Sequence, residues 1–128
     1  MSLSSEVAQS LLRVTERDTE RDTGGTAYFR FDAGLSVFEG HFPGYTLVPA
    51  VFLIEAVRLA SERLLARPLV LARVERAKFT GEVRPAREIR IDVELQHAGT
   101  IRCQATCKDE DTTCATIRLV FQPPPAGC

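Results

Sequence analysis

The stretch Ala50-Val51-Phe52-Leu53-Ile54-Glu55-Ala56-Val57 constrains this chain more than any other. Pro49 stands just before it, where a helix tolerates proline and benefits from its fixed φ. Val51, Phe52, Leu53, Ile54, Ala56 and Val57 place apolar side chains on every side of a helix running from Ala50 to about Leu65. A helix apolar on every side is expected to be buried all round. The second half carries Arg58, Glu62 and Arg63 and is expected to emerge toward solvent, and Pro68 ends it.

Strand patterns supply the cover. Glu88 to Gln96 alternates, with Ile89, Ile91, Val93 and Leu95 inward and Arg90, Asp92 and Glu94 outward. Thr26 to Asp32 puts Ala27, Phe29 and Phe31 on one side, with Tyr28 and Arg30 on the other. Leu69 to Val83 reads as one long strand or a broken pair. Ile101 to Cys107 and Thr113 to Gln122 are two more strands, joined by the charged turn Lys108 to Asp111. His97-Ala98-Gly99 and Gly24-Gly25 read as turns. Residues 4–13 read as a short helix behind cap-type serines, and residues 14–24 as a charged connection. Phe79 and Phe121 are expected in the core, and His97 at the surface. The four strands after the long helix are expected to form a meander. The expected architecture is α+β, an antiparallel sheet wrapped around one long central helix. One domain is expected over residues 4–122, followed by a disordered Pro-rich tail over 123–128.

Composition excludes several classes. The chain has 128 residues, 45% apolar and 26% charged, with a net charge of −1. That balance argues against a general nucleic-acid binder. The longest apolar run, Leu47 to Ile54, is eight residues and contains a proline, too short for a membrane span. No basic-then-apolar start resembles a secretory signal, so a cytoplasmic protein with reduced thiols is expected. Cys103, Cys107 and Cys114 lack the paired spacing of a zinc site and read as small core residues; Cys128 falls in the tail. Between Arg58 and Arg90 there are nine basic and four acidic residues. That segment reads either as a docking face for an acidic partner or as a solvated face of mixed charge.

Residues 33–48 form a Gly- and Pro-rich loop that also holds Phe38, Phe42, Tyr45 and His41. A loop this apolar is expected to pack inward and line something. His41 in the loop and Glu55 on the helix are two titratable side chains in apolar surroundings. A base and an acid held in an apolar pocket suit proton abstraction beside a carbonyl. Free N–H groups near Pro49, Ala50 and Val51 could hold a carbonyl oxygen as it gains negative charge. Plainer readings stand beside these. His41 could satisfy a loop carbonyl, and Glu55 could pair with Arg58 at i+3.

Gly40-His41-Phe42-Pro43-Gly44, followed by Leu47-Val48-Pro49-Ala50-Val51-Phe52-Leu53-Ile54-Glu55-Ala56, resembles the active-site signature of the β-hydroxyacyl-acyl carrier protein dehydratases of the hotdog fold. The separation of fourteen residues from His41 to Glu55 matches that family's spacing. Val74 to Phe79 with Val83-Arg84-Pro85 resembles the strand after its central helix. The resemblance covers roughly residues 26–122. It implies a homodimer or higher oligomer with the active site at the dimer interface, where the His of one chain faces the Glu of the other. It implies that His41 removes the C2 proton of a 3-hydroxyacyl thioester and that Glu55 protonates the departing hydroxyl. The Ala50 N–H would hold the thioester oxygen, the Leu47 carbonyl would orient His41, and Phe42, Pro43, Gly44 and Val51 would bound the substrate. The substrate would ride on acyl carrier protein or on CoA, and the basic segment would suit an acidic carrier. No metal and no organic cofactor are implied. Glutamate at 55 resembles the branch that dehydrates without isomerising.

The chain departs from that pattern at Thr46, where proline is usual, at Ala50, where glycine is usual, and at Leu59, where glutamine is usual. It reads as a divergent member. Two rivals remain: a hotdog thioesterase or CoA hydratase, and a non-catalytic acyl-binding subunit of a heteromer.

Overall fold

A computed structural model describes residues 3–18, 23–32 and 48–125 of the chain. The segments with chemistry on them are arranged by one helix and one sheet. A short helix α1 (Leu3–Ser10) leads into β1 (Leu11–Asp18), which pairs antiparallel with β2 (Thr23–Arg30). The long helix α2 (Ala50–Leu65) follows, then β3 (Val70–Phe79), β4 (Glu88–Ala98), β5 (Thr100–Asp109) and β6 (Thr112–Gln122). The six strands form one sheet in the order β1-β2-β4-β5-β6-β3, antiparallel throughout. It is a hotdog fold.

The helix begins and ends where its sequence indicates. Pro49 is its N-cap, with φ −63° and ψ 150°, and Ala66 closes it in the left-handed region at φ 53°. Phe52, Leu53, Ala56, Val57, Ala60 and Leu64 form its buried stripe. That stripe packs against the inward residues of the sheet, among them Phe29, Ile91, Val93, Ile117 and Leu119, all fully buried. The expectation of burial on every side is corrected here. Val51 is 51% exposed and Ile54 only partly buried. A single sheet covers one side of a helical cylinder, so side chains pointing away from it are not enclosed by it. Conversely, Arg58 and Glu62 are less exposed than a solvent-facing half predicts, at 18% and 23%.

The N-terminal region differs most from its sequence reading. The helix stops at Ser10, and Leu11 to Asp18 is a strand rather than the end of a helix and a connection. Gly24 and Gly25 lie inside β2, paired to β1 on one side and β4 on the other, and are not a turn. Their role is close approach. A Cβ on Gly25 would sit 2.6 Å from Leu64 Cδ2 and press on the Thr15 carbonyl.

β3 departs from the expected meander. It does not pair with β4 as a meander requires, but crosses to the far edge beside β6. The chain then returns through residues 80–87. Thr80 and Gly81 N–H donate to the Cys114 carbonyl at 2.8 and 3.1 Å, and Ala86 N–H donates to the Phe31 carbonyl at 2.6 Å. Val48 N–H donates to the Val83 carbonyl at 2.7 Å, pinning the entry to α2. As an edge strand β3 is exposed along most of its length, so Phe79 is 42% exposed and not a core residue. Phe121 is fully buried as expected. The β4–β5 turn is narrower than predicted: His97 and Ala98 are still in β4, and Gly99 alone turns at φ 85°.

Gly25→Ala tests the packing. Alanine normally stabilises a strand relative to glycine. Here it is expected to cost about 1–3 kcal/mol through overpacking against Leu64, read as a lower urea midpoint.

Candidate functional site

The residues singled out above divide into two groups. Ala50, Val51 and Glu55 are on the first turns of α2, in described structure. His41, Phe42, Pro43, Gly44 and Leu47 lie outside the described residues.

The first-turn amides of a helix have no carbonyl four residues earlier to accept their hydrogens. Pro49 offers no side-chain acceptor, and α2 has no side-chain cap hydrogen bond from it. The Phe52 N–H is tied back to the Pro49 carbonyl at 3.0 Å. No acidic residue occupies the first turn to neutralise the positive end of the helix dipole. The start of α2 therefore has first-turn amides that the Pro49 side chain does not cap and a dipole that no acid in the first turn balances.

Glu55 follows in the next turn, with its side chain 14% exposed. Its Oε1 accepts a hydrogen bond from Arg58 Nε at 2.8 Å and another from Arg58 Nη2. Ser4 Oγ on α1 donates to the same oxygen at 3.1 Å. Arg58 also donates through Nη1 to the Leu69 carbonyl at 3.1 Å and pairs with Glu62 Oε2 at 2.8 Å. Glu62 Oε2 in turn accepts the Leu69 N–H at 2.8 Å. The i+3 pair offered by the sequence is thus present, and it is part of a larger network. The hydrogen bond to Glu55 holds the Arg58 guanidinium above its ordinary value, against the opposing effect of burial. Sequence spacing reveals the pair Glu55 and Arg58, and the structure adds Glu62 four residues beyond Arg58. Nothing in the sequence marks Ser4, which reaches Glu55 from 51 residues away.

The remaining polar and thiol groups lie elsewhere. His97 is exposed, with its Nε2 3.2 Å from Thr23 Oγ1. A cleft of about 440 Å³ bounded by Tyr28, Arg87, Arg90 and Asp109 opens on the outer side of the sheet. Among the described residues no group of three His, Cys, Asp or Glu side chains is placed to hold a metal, and no helix is long and apolar enough to cross a membrane. Cys103, Cys107 and Cys114 are free and buried. Cys128 lies outside the described residues.

A family model described as ApeI-like, ApeI dehydratase, matches residues 16–118. A 3-hydroxyacyl-[acyl-carrier-protein] dehydratase FabZ of Lactiplantibacillus plantarum is 34% identical over 92 residues, covering 63% of this chain and 62% of that protein. The chain spans just under two thirds of the length of the curated relatives it matches. An uncharacterised protein from Erwinia carotovora superposes with a TM-score of 0.73 at 20% identity, covering 88% of this chain and 94% of that one. The dehydratase heterocomplex ApeI:P from Xenorhabdus doucetiae superposes with a TM-score of 0.65 at 19% identity, covering 86% and 98%. At these identities the structural likenesses establish the fold.

The thiols make a measurable prediction. Burial pushes Cys103 and Cys107 up to about 12. An unfolded thiol ionises near 8.5. Below that value both states hold the proton and the full stability is present. As pH rises from about 9 toward about 12 the unfolded state alone loses protons, so stability falls. Urea midpoints measured from pH 7 to 11 are expected to decline above pH 9, and less so in Cys103→Ala.

Proposed function

The chain belongs to the ApeI-like dehydratase family, and from that membership we propose that it removes water from a (3R)-3-hydroxyacyl thioester to give the trans-2-enoyl thioester. The observation that carries this reading is the part-buried Glu55 in the turn after an N-terminus whose N-cap residue, Pro49, makes no side-chain hydrogen bond to it. An elimination beside a thioester needs a base for C2, an acid for the C3 oxygen, and donors for the carbonyl oxygen.

In the proposed reaction His41 takes the C2 proton. The electron pair moves toward the thioester carbonyl, whose oxygen is held by the Ala50 N–H. It then forms the C2=C3 bond as the C3–O bond breaks, and Glu55 delivers its proton to the departing hydroxyl. Water leaves, with His41 protonated and Glu55 ionised, and proton exchange with solvent resets both. Leu47, through its carbonyl, orients His41, while Phe42, Pro43, Gly44 and Val51 bound the acyl chain. Alanine at 50 keeps its N–H, so this departure from the usual glycine preserves the donor. The thioester carrier is acyl carrier protein, with CoA as the other source, and the chain works in the cytoplasm.

The active unit is a homodimer with a shared site. Support comes from β3, a ten-residue edge strand on which Val70, Val74 and Phe79 are exposed. Exposed apolar edges invite pairing with another strand. Antiparallel pairing of two copies centred on Val74 would set Arg73 of each opposite Glu75 of the other. Val74→Asp is expected to halve the mass measured by analytical ultracentrifugation while leaving the circular dichroism spectrum unchanged.

A second reading, a subunit of a heteromer, is favoured by the heterocomplex named for the Xenorhabdus neighbour. Turnover decides between them. The chain alone is expected to convert a 3-hydroxyacyl-carrier-protein thioester to the enoyl form, read by absorbance. His41→Ala and Glu55→Gln are each expected to lower kcat by about 10²-fold or more. A folded wild type inactive on short, medium, long and aryl chains would overturn the enzyme reading in favour of the heteromer.

A further inference from the structure

We propose that Arg58 is a positioning residue for Glu55: it fixes one carboxylate oxygen so that the other is presented to the reacting hydroxyl. The proposal rests on the dehydratase reading. Every hydrogen bond that described residues make to Glu55 lands on Oε1, from Ser4 Oγ, Arg58 Nε and Arg58 Nη2. With three donors on Oε1, the proton of the acid form belongs on Oε2. Oε2 is then the oxygen that transfers it.

Arg58 is itself held in place. Its Nη1 reaches both the Leu69 carbonyl and Glu62 Oε2, and Glu62 takes the Leu69 N–H. The guanidinium cannot swing away from Glu55 without breaking contacts to α2 and to the segment leading into β3. Its planar fork also fixes the direction of approach, which a lysine ammonium would not. A free glutamate side chain samples many rotamers, and ordering it costs free energy. Here that order is present before substrate binds. When the proton leaves Oε2, the carboxylate that forms already faces a cation, so charge develops in a prepared field.

The test uses the full chain as wild type, Arg58→Met, Arg58→Lys, Glu55→Gln and the double variant Arg58→Met/Glu55→Gln. Each is first checked by circular dichroism and sedimentation, then assayed on the 3-hydroxyacyl-carrier-protein thioester. Misplacing the acid is expected to lower kcat of Arg58→Met by about 10²-fold, with KM changed by less than about threefold. Arg58→Lys, which keeps a positive charge between Glu55 and Glu62 and is the variant read if methionine does not fold, is expected to recover part of the loss. In the Glu55→Gln background the same Arg58→Met change is expected to add less than about threefold, because both act through one group. If Arg58→Met leaves kcat within about threefold of wild type, or costs as much without Glu55 as with it, Arg58 only ties α2 to β3 and the proposal falls. If the wild type itself does not turn over, the dehydratase reading fails and takes this proposal with it.

Discussion

The stripe Phe52, Leu53, Ala56, Val57, Ala60 and Leu64 is too apolar to face water, and covering it dictates the rest of the molecule. Burying a large apolar side chain is worth about 1.5–3 kcal/mol, so Phe52, Leu53, Val57 and Leu64, with two alanines between them that let the helix approach closely, demand a continuous partner surface. The inward residues of all the central strands supply it. Gly25 shows how tight the fit is, since it must lack a side chain for Leu64 to lie against the sheet. The crossing segment 80–87 is held to β6, to Phe31 and to the entry of α2 by backbone hydrogen bonds, so the start of the helix is tied to the sheet through it.

The same constraint assigns chemistry to the opposite parts of the helix. The face that meets the sheet is filled by hydrocarbon. Functional groups are left to the N-terminus and to the flank where Glu55, Arg58 and Glu62 succeed one another at i+3 and i+4. A carboxylate on that flank is neither in the core nor in bulk water. Its partner cation comes from the helix itself, and its remaining donor comes from α1. Such an arrangement holds a titratable group still without enclosing it.

The sequence displays some of this directly and some not at all. Alternation of Ile89, Ile91, Val93 and Leu95 marks β4 because both of its neighbours bury the same face. The limits of α2 show through Pro49 and Pro68. By contrast β1 carries Arg13, Glu16 and Arg17 on a sheet edge, where only one neighbour enforces a pattern, and its strand character is hidden. Gly24-Gly25 carries the signal of a turn and of a close approach alike, and only the position of Leu64 separates them. The place of β3 is unreadable because adjacency in sequence favours pairing with β4, whereas enclosing the helix requires the far edge. At the site, the Glu55–Arg58 spacing is legible on a helix, while Ser4 becomes a partner only through the fold.

The strand order also sets how the chain must assemble in time. β4, β5 and β6 are joined by turns of one and two residues, so their registry closes locally. The pairings of β2 with β4 and β3 with β6 join residues tens of positions apart, as in Thr26 with Asp92 and Val70 with Gln122. Closing such loops costs more chain entropy than closing a hairpin, and rates fall as sequence separation of contacts grows. The three-stranded hairpin unit is therefore the part that can exist first, as a surface waiting for its helix. The larger chain-entropy cost of folding thus falls on bringing distant segments together rather than on forming α2 itself.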